Sequence, residues 1–533
     1  MMRRSFFFAA VVLGATTVSA QDIEMLERRG VRTLPRAYYE RLRAEPDAFE
    51  LRGGWKKKVA NAQANATAVS GTLPLVVIPA LFSNSEAPPA FIASAALQSR
   101  LFDQTALTSI TAFYREASLG LMNISGTVTP WVSTNLTVAE VVGDAFGLGG
   151  TSRTRDWLRQ AVANVDASID FAQFDNDGAD GIPNSGDDDG RVDGAAFLFH
   201  ELDAPCGGPG IWPHKSRISA GGSTPAQTSD RRPNGQFMVV DDYIVLGARN
   251  CNGLGPLEVN VFAHETGHIL GAPDYYDSTV GLLREQRRWV VGCWDLMSAG
   301  SWGCGSGPRL SGIIPTHMGA LPKVLFRWTT PRSVNAGLRP EQYTLRPAHS
   351  SGDVLSVRLS ATEYLLVEYR AKQGYDAGLP SSGVLVYHVE PARPFLPPAT
   401  APRIYSYQLL EADGNGALVR LETDGGNRGE ASDAFGGARN FIDDTTTPST
   451  RLNNGSPTWV RLSAMTVDAV ANVARVTVSL APARLTTEAM VAALGLTPLA
   501  SEDRTLLDTA GNGNGRFDVG DLRAYLRIRA GSN

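Results

Sequence analysis

Apolar positions between residues 70 and 170 predict a mixture of strands and helices. Residues 73–79 are almost continuously apolar, which is typical of a buried strand. A helix with one apolar face follows, with its apolar positions at Leu107, Ile110, Phe113 and Tyr114. Strands between residues 124 and 132 and another helix beginning at Trp157 complete the pattern. These blocks predict an α+β domain.

Beyond residue 334 the pattern changes to that of strands. Residues 354–359 and 384–389 alternate between apolar and polar positions, as half-buried strands do. A final strand pair, residues 459–462 and 473–480, resembles the edge of a β-sandwich. We therefore expect a β-rich domain at residues 334–483, packed on the preceding domain, and a small helical tail at residues 484–533.

Composition and charge exclude several classes of protein. A chain of 533 residues has room for three or four domains with a large core. Its 43% of hydrophobic and 19% of charged residues are those of a globular protein, and a formal net charge of −5 gives no basic surface for nucleic acid. After the N-terminus no apolar stretch reaches ~18 residues, so no membrane span is predicted.

The first 72 residues carry signals of export and processing. Arg3 and Arg4, an apolar core at residues 6–13 and small residues at 18–20 form the pattern of a secretory signal peptide, predicted as residues 1–20. Residues 21–72 are charged and helix-prone, and they are predicted to be a propeptide, with a solvated helical arm as the alternative. We expect a secreted protein whose catalytic domain occupies residues 73–333.

All four cysteines lie between residues 206 and 304, which favours disulfides over metal binding. In an oxidising compartment two disulfides are expected, and no Cys-x-x-Cys spacing occurs. Three pairings are possible. We favour Cys206 with Cys251 and Cys293 with Cys304, because the second pair would close a short loop.

Residues 264–268, His-Glu-Thr-Gly-His, have the spacing of a catalytic zinc site. His264 and His268 are four apart, so on a helix they share one face and can bind one metal ion. Glu265 lies beside the first ligand, where it can take a proton from zinc-bound water. The alternative, two ordinary surface histidines, is disfavoured by the scarcity of histidine, which occurs seven times in the chain.

The third zinc ligand is expected just after this helix. Gly271 permits a sharp turn, with φ > 0 as an option, that ends the helix. Asp274 can then turn back toward the two histidines, although Glu285 is a rival for the same role. Tyr276 and His214 are candidates to bind substrate or a developing oxyanion, with a structural role as the alternative for His214.

Two Asp-rich stretches predict calcium sites, because calcium takes six to eight oxygen ligands from carboxylate-rich loops. The first is similar to the calcium repeats of thrombospondin type, and its candidate ligands are Asp175, Asp177, Asp180, Asp187, Asp189 and Asp193. The second is in the tail and resembles a single dockerin repeat, with candidate ligands Asn512, Asn514, Asp518 and Asp521. Asp413 and Asp433 leave two interpretations open, a further calcium site or loop caps.

Residues 295–302, Asp-Leu-Met-Ser-Ala-Gly-Ser-Trp, are similar to the Met-turn of metzincins, with Met297 beneath the zinc. Together with residues 264–277 they resemble the immune inhibitor A family of exported bacterial zinc metallopeptidases. Residues 113–120, 212–214 and 363–370 fit the same family, so the resemblance runs from about residue 73 to 450. It implies zinc ligands His264, His268 and Asp274 and the general base Glu265.

The sequence is therefore interpreted as a secreted zinc metalloendopeptidase with one catalytic zinc and one or more structural calcium ions. Its expected partners are protein or peptide substrates, with a cohesin-like or cell-surface partner for the tail. The alternative is a non-catalytic secreted calcium-binding scaffold on an inherited protease fold. The presence of Glu265 argues against the scaffold, since a scaffold needs no general base.

Overall fold

The computed structural model describes residues 36–45, 47–280, 286–306, 314–337, 339–397, 403–480 and 485–530. The predicted signal peptide and Glu285 lie outside these residues. Two N-terminal helices come first, α1 (Arg36–Ala44) and α2 (Gly54–Ala64). They lead into a mixed β-sheet whose strands alternate with helices along the chain, as in an α+β protein.

The first sheet has six strands, five of them in the order β2-β1-β4-β8-β5, with β3 paired to β1. All paired strands of this sheet are parallel except at one edge, where β5 is antiparallel to β8. The strands are β1 (Gly71–Leu81), β2 (Met122–Val128), β3 (Val132–Ser133), β4 (Ala195–Phe199), β5 (His214–Arg217) and β8 (Asp242–Gly247), and a hairpin of β6 (Ala226–Arg231) with β7 (Phe237–Val240) lies outside this sheet.

Helices cover the faces of this sheet. They are α3 (Ser94–Phe102), α4 (Ile110–Ala117), α5 (Val138–Val142), α6 (Thr154–Val165), α7 (Val259–Ile269) and α8 (Ala320–Leu325). Leu107 does not belong to the predicted helix. Ser109 accepts a hydrogen bond from the amide of Ala112, so this cap starts α4 at Ile110 and leaves Leu107 44% exposed.

β1 separates two cores, which explains why its sequence is almost continuously apolar. Leu73, Leu75 and Val77 point into a core shared with α7. Val76, Ile78 and Ala80 alternate with them and point into a core shared with α6. A central strand of a parallel sheet is buried on both faces, so it loses the polar alternation of an exposed strand.

The β-rich region contains two further sheets. A five-stranded sheet has the order β14-β13-β12-β11-β9, and a three-stranded sheet has the order β10-β16-β15. Their strands are β9 (Arg332–Val334), β10 (Glu341–Leu345), β11 (Val354–Arg358), β12 (Tyr364–Arg370), β13 (Gly383–Val389), β14 (Tyr407–Leu409), β15 (Val460–Asp468) and β16 (Val473–Leu480), with a short helix α9 (Ala348–Ser351) after β10.

The five-stranded sheet is buried on both faces, which differs from the half-buried strand expected at residues 384–389. Val384 and Val386 pack into a core shared with the three-stranded sheet. Leu385 and Tyr387 point the other way, into the core that contains α7. Side chains alternate across a strand, so β13 joins the β-rich region to the preceding domain through one continuous apolar contact.

The N-terminal segment packs against the same core as α7. Trp55 is fully buried, and Leu51, Val59 and Val69 are buried with it. Earlier in the segment, Arg41 donates a hydrogen bond to the carbonyl of Leu148. The described part of the predicted propeptide is therefore not a solvated arm, since its apolar side chains complete the interior of the molecule.

The tail has three helices and a small core of its own. The helices are α10 (Leu485–Ala493), α11 (Ser501–Ala510) and α12 (Val519–Ala530). Ala489, Leu507 and Tyr525 are buried between them. Within the described part of the chain, no helix is long and apolar enough to cross a membrane.

Candidate metal centre and active site

Helix α7 brings His264 and His268 to one buried point. The rings lie 4.9 Å apart, and both side chains are less than a tenth exposed. Each Nδ1 lies at hydrogen-bond distance from a backbone carbonyl, Leu296 for His264 at 2.9 Å and Ala272 for His268 at 2.7 Å. A proton on Nδ1 leaves Nε2 with a free lone pair, which is the form of histidine that binds metals.

Asp274 reaches the two histidines from the turn that follows α7. Its Oδ1 lies 3.0 Å from Nε2 of His264 and 3.3 Å from Nε2 of His268. The turn depends on Gly271, whose φ of 92° is a left-handed conformation that glycine adopts without strain. The structure thus brings the two imidazoles and the favoured third ligand to one point.

The charges around this point act on each ligand differently. Burial alone would lower the pKa of His264, but the hydrogen bond and negative charge of Asp274 outweigh it and raise that pKa. Burial, followed by the charge of Lys215, lowers the pKa of His268. Burial would raise the pKa of Asp274, yet His268 and Lys215 hold it well below its usual value. A carboxylate and two imidazoles in these states can bind a cation.

Lys215 is a neighbour that sequence reasoning missed. Its Nζ lies 3.8 Å from Oδ2 of Asp274, on the side away from the two histidines' contacts with Oδ1. Lys215 lies on β5 next to His214, and successive residues of a strand point to opposite faces. The alternation of side chains along a strand could have revealed this in the sequence. It allows either Lys215 or His214, but not both, to face the site.

Glu265 lies beside the ligands, where a general base would be needed. It is half-buried, and one of its carboxylate oxygens lies within 4.8 Å of the ligand nitrogens of His264 and His268. These short distances make the three residues a group that could hold a metal ion. The carboxylate can therefore exchange a proton with a group held between the histidines and the solvent.

Met297 lies directly beneath α7. It is completely buried, and its carbonyl accepts a hydrogen bond from the amide of Tyr275 at 2.8 Å. Gly267 makes this contact possible, since a Cβ at that position would lie 2.5 Å from the Met297 sulfur. The Asp295 carboxylate receives the Met297 amide at 2.9 Å, and burial raises the pKa of Asp295 to about 7.

Tyr276 and His214, the two candidates for substrate binding, have different surroundings. The ring of Tyr276 stacks on that of His264 at 6.4 Å, and the guanidinium of Arg287 covers it at 4.5 Å. His214 is buried instead, with Nδ1 2.7 Å from the carbonyl of Trp212 and Nε2 3.1 Å from the hydroxyl of Tyr243. Because both ring nitrogens are engaged, the structure favours the structural role for His214.

The two favoured disulfides are both present in the structure. Cys206 is bonded to Cys251, and Cys293 is bonded to Cys304, with no free cysteine among the described residues. The second disulfide joins two cysteines 11 positions apart, one before and one after Met297. The predicted pairing is confirmed.

The Asp-rich loop brings together three of the six predicted calcium ligands. Asp175, Asp177 and Asp193 each offer an oxygen within 4.8 Å of the others. Burial and the neighbouring carboxylates raise the pKa of Asp175 to about 8, and one of its oxygens is buried without a hydrogen-bond partner. Asp175 and Asp193 are buried and Asp177 is half-buried, and three carboxylates at this separation repel one another unless a cation or protons neutralise them.

The other three predicted ligands of that loop lie outside this cluster. Asp180 and Asp187 accept hydrogen bonds from the loop's own backbone, and Asp189 pairs with Lys57 at 3.0 Å. Asp188, which was not predicted, is buried and accepts hydrogen bonds from the amides of Gly178 and Ser185. These carboxylates shape the loop through its backbone.

The tail loop is closed by its predicted residues and by one more. Asp521 accepts the amides of Asn512 and Asp518, at 3.0 and 2.8 Å, and Asp518 receives the side-chain amide of Asn514 at 3.2 Å. Asp508 was missed, because it precedes the first position counted for the loop. One oxygen of Asp508 accepts the amide of Gly515, and the other is buried without a hydrogen-bond partner.

The two histidines in the C-terminal half of α7 and Asp274, just after this helix, fit a zinc ion by their chemistry. Two imidazole nitrogens and a carboxylate are the ligand set of catalytic zinc sites, and each histidine is oriented through its other nitrogen by a backbone carbonyl. A helix with two such histidines, a carboxylate between them in sequence and a buried methionine below defines a metallopeptidase-like site.

Comparison with known proteins agrees with this class. Residues 94–325 match the family described as "Immune inhibitor A peptidase M6, catalytic domain". The chain is 28% identical over 242 residues to Immune inhibitor A of Bacillus thuringiensis subsp. alesti, which covers 43% of this chain and 33% of that protein. It is 26% identical over 227 residues to the Pre-pro-metalloprotease PrtV of Vibrio cholerae serotype O1 (strain M66-2), covering 40% and 23%.

The predicted resemblance to the immune inhibitor A family is thereby confirmed for the catalytic region. The matched residues include every residue of the metal centre, the Asp-rich loop and the four cysteines. The chain spans a third or less of the length of these relatives, so the match concerns the catalytic region and not their full architecture.

Proposed function

We propose that this chain is an exported zinc metalloendopeptidase with a metzincin-like catalytic domain. One observation carries the proposal: Oδ1 of Asp274 lies 3.0 and 3.3 Å from the Nε2 atoms of His264 and His268, with Glu265 beside them. The matches to metallopeptidases support the same conclusion.

In this proposal His264, His268 and Asp274 hold the zinc. A bound zinc supplies Lewis acidity toward water and toward the scissile carbonyl. Glu265 accepts the proton of the attacking water and delivers it to the leaving amine, which is general base and then general acid catalysis. Tyr276, stacked on His264, covers one side of the site and positions substrate there.

The proposal includes export and processing. A signal peptide at residues 1–20 and two disulfides suit a secreted protein, since disulfides persist in oxidising compartments. Residues 21–72 are proposed as a propeptide, and the described residues between 47 and 72 pack on the catalytic domain. Removal of this propeptide would take four buried apolar side chains, among them Trp55, out of the core.

Calcium is proposed at two places. Asp175, Asp177 and Asp193 would hold one ion in the catalytic domain, and the tail loop with Asp508 would hold another. The β-rich region between them is proposed as a sandwich-like domain, and the tail as a dockerin-like module. A cohesin-like partner for the tail rests on the resemblance of that loop to a dockerin repeat.

The test uses the full chain from residue 21 with zinc and calcium supplied. Wild type, Glu265→Gln and a control, Glu86→Gln, are compared for bound zinc and for casein cleavage. Glu86 is an exposed carboxylate, so its variant should match wild type. Glu265→Gln should keep one zinc per chain and lose at least about 10²–10⁴-fold in activity, the range for a general acid–base.

Two outcomes would overturn this function. Folded wild type with zinc bound but no cleavage of any protein substrate, before or after removal of the N-terminal segment, would favour the calcium-binding scaffold. Undiminished activity in Glu265→Gln would show that another group moves the proton.

A further inference from the structure

A second acidic cluster lies in the β-rich region, far along the chain from the Asp-rich loop. Glu411, Asp413 and Asp433 each offer a carboxylate oxygen within 4.8 Å of the others. Glu411 is 4% exposed and Asp433 is completely buried, whereas Asp413 is half-buried. Carboxylates are rarely buried without a partner, so this cluster needs a physical explanation.

Hydrogen bonds from the protein account for only part of these oxygens. Oδ2 of Asp433 accepts the indole N–H of Trp294 at 3.0 Å and the amide of Glu430 at 2.9 Å. Oε2 of Glu411 accepts the amide of Leu418 at 3.1 Å. Oδ1 of Asp433 is buried and has no hydrogen-bond partner among the described residues. This oxygen is left for a ligand that can bind a bare carboxylate.

The surroundings do not neutralise the cluster. Burial, followed by the negative charge of Asp433, raises the pKa of Glu411 to about 8. Burial raises the pKa of Asp433 to about 6, against the hydrogen bond from Trp294. Among the groups that act most on these two pKa values, every charged one is another carboxylate. Ionised carboxylates would repel one another here, and no basic side chain is among the groups that act most on these two pKa values.

We propose that Glu411, Asp413 and Asp433 form a calcium site that fastens the β-rich region to the floor of the metal centre. All the ligand atoms that the three carboxylates offer are oxygens, which suits a hard divalent cation. Calcium accepts the irregular coordination geometry that such loops provide. The ion binds Oδ1 of Asp433, the buried oxygen without a hydrogen-bond partner, and its positive charge allows the carboxylates to be ionised together.

The position of this site gives it a structural role. Trp294, which Asp433 binds, precedes Met297 by three residues. Backbone hydrogen bonds join the same two segments, from Val290 to Leu418 at 2.9 Å and from Cys293 to Arg428 at 2.6 Å. Calcium between residues 411 and 433 would therefore stiffen the segment that carries the methionine beneath α7. The inference does not rest on the proposed catalytic function.

The test measures calcium bound per chain in the full-length protein with zinc held at saturation. Asp413→Asn is the main variant, because this side chain is half-buried and its loss should leave folding intact. Asp424→Asn is the matched control, an exposed aspartate in the neighbouring turn. Glu411→Gln is a second variant that removes a different ligand of the same site. Tryptophan fluorescence is recorded during each calcium titration.

We expect Asp413→Asn and Glu411→Gln to bind one calcium fewer than wild type, or to bind it at least tenfold more weakly, while Asp424→Asn matches wild type. The fluorescence change on adding calcium should shrink in both ligand variants, because Trp294 bonds to the site. Equal stoichiometry and equal affinity in all four proteins would overturn the proposal. So would a wild type that takes up manganese or magnesium at this cluster and no calcium.

Discussion

Gly267 lies between the two histidines of α7, and replacing it with alanine should loosen the metal centre. An alanine Cβ would lie 2.5 Å from the sulfur of Met297 and 3.2 Å from the hydroxyl of Tyr114. Met297 is completely buried, and Tyr114 is tied to the carbonyl of Ala263 at 2.6 Å, so neither has open space to move into. The contact must be relieved by shifting packed atoms.

The magnitude follows from two opposing effects. Alanine in a helix interior is favoured over glycine by about 1 kcal/mol. Overpacking of a filled core costs about 1–3 kcal/mol. The net effect of Gly267→Ala should be a loss of about 0–2 kcal/mol in the free energy of unfolding. In a Met297→Ala background the contact with the sulfur is gone and the 3.2 Å contact with the Tyr114 hydroxyl remains, so the same substitution should stabilise by at most about 1 kcal/mol.

The assay is a double-mutant cycle on zinc-saturated protein, with urea unfolding followed by tryptophan fluorescence. The interaction energy between positions 267 and 297 should be about 1–3 kcal/mol. Zinc affinity should fall about tenfold in Gly267→Ala, since Leu296, next to Met297, supplies the carbonyl that orients His264. Gly150→Ala, where a Cβ meets nothing within 4 Å, is the control. Equal effects of Gly267→Ala in both backgrounds would refute the steric argument.

Three further predictions concern the same region. Replacing the Cys206–Cys251 pair by serines should cost about 4 kcal/mol and the Cys293–Cys304 pair about 3 kcal/mol, from sequence separations of 45 and 11 residues, as measured by urea unfolding. Burial raises the pKa of Asp295 to about 7, so its contribution to stability is present at low pH and is lost as pH rises from about 4 to 7. Asp295→Asn should flatten the fall in Tm over that same range of pH, and an unchanged profile would contradict this. Lys215→Met should tighten zinc binding two- to fivefold, or by roughly 0.5–1 kcal/mol, because it removes a cation 3.8 Å from the third ligand. Competition titrations measure this affinity, and weaker binding in the variant would show that Lys215 holds the Asp274 carboxylate in place.

Local spacing in the sequence was sufficient for most of the metal centre. The two histidines are four positions apart, which puts them on one helical face, and a glycine three residues later allows the turn that brings back Asp274. The disulfides followed from the short loop between Cys293 and Cys304. These features depend on neighbours in the chain, so their geometry is nearly fixed by residue type and separation.

Long-range contacts could not be predicted in the same way. Lys215 precedes Asp274 by 59 positions, and their proximity depends on how β5 lies at the edge of the sheet. Asp180 and Asp187 look like equal members of the Asp-rich loop, yet backbone amides occupy them. Which carboxylate faces a cation and which one caps a turn is decided by the path of the loop, and composition does not encode that path.

The two-faced burial of β13 also determines when the metal centre can be completed during synthesis. The core beneath α7 includes side chains from β13 and β14 and ends near Ala434, about 170 residues after the histidines. A nascent chain that has released α7 but not β13 leaves the apolar face of that core uncovered. The peptidase-like site therefore reaches its final packing only after most of the polypeptide has left the ribosome and, for an exported protein, has crossed the membrane.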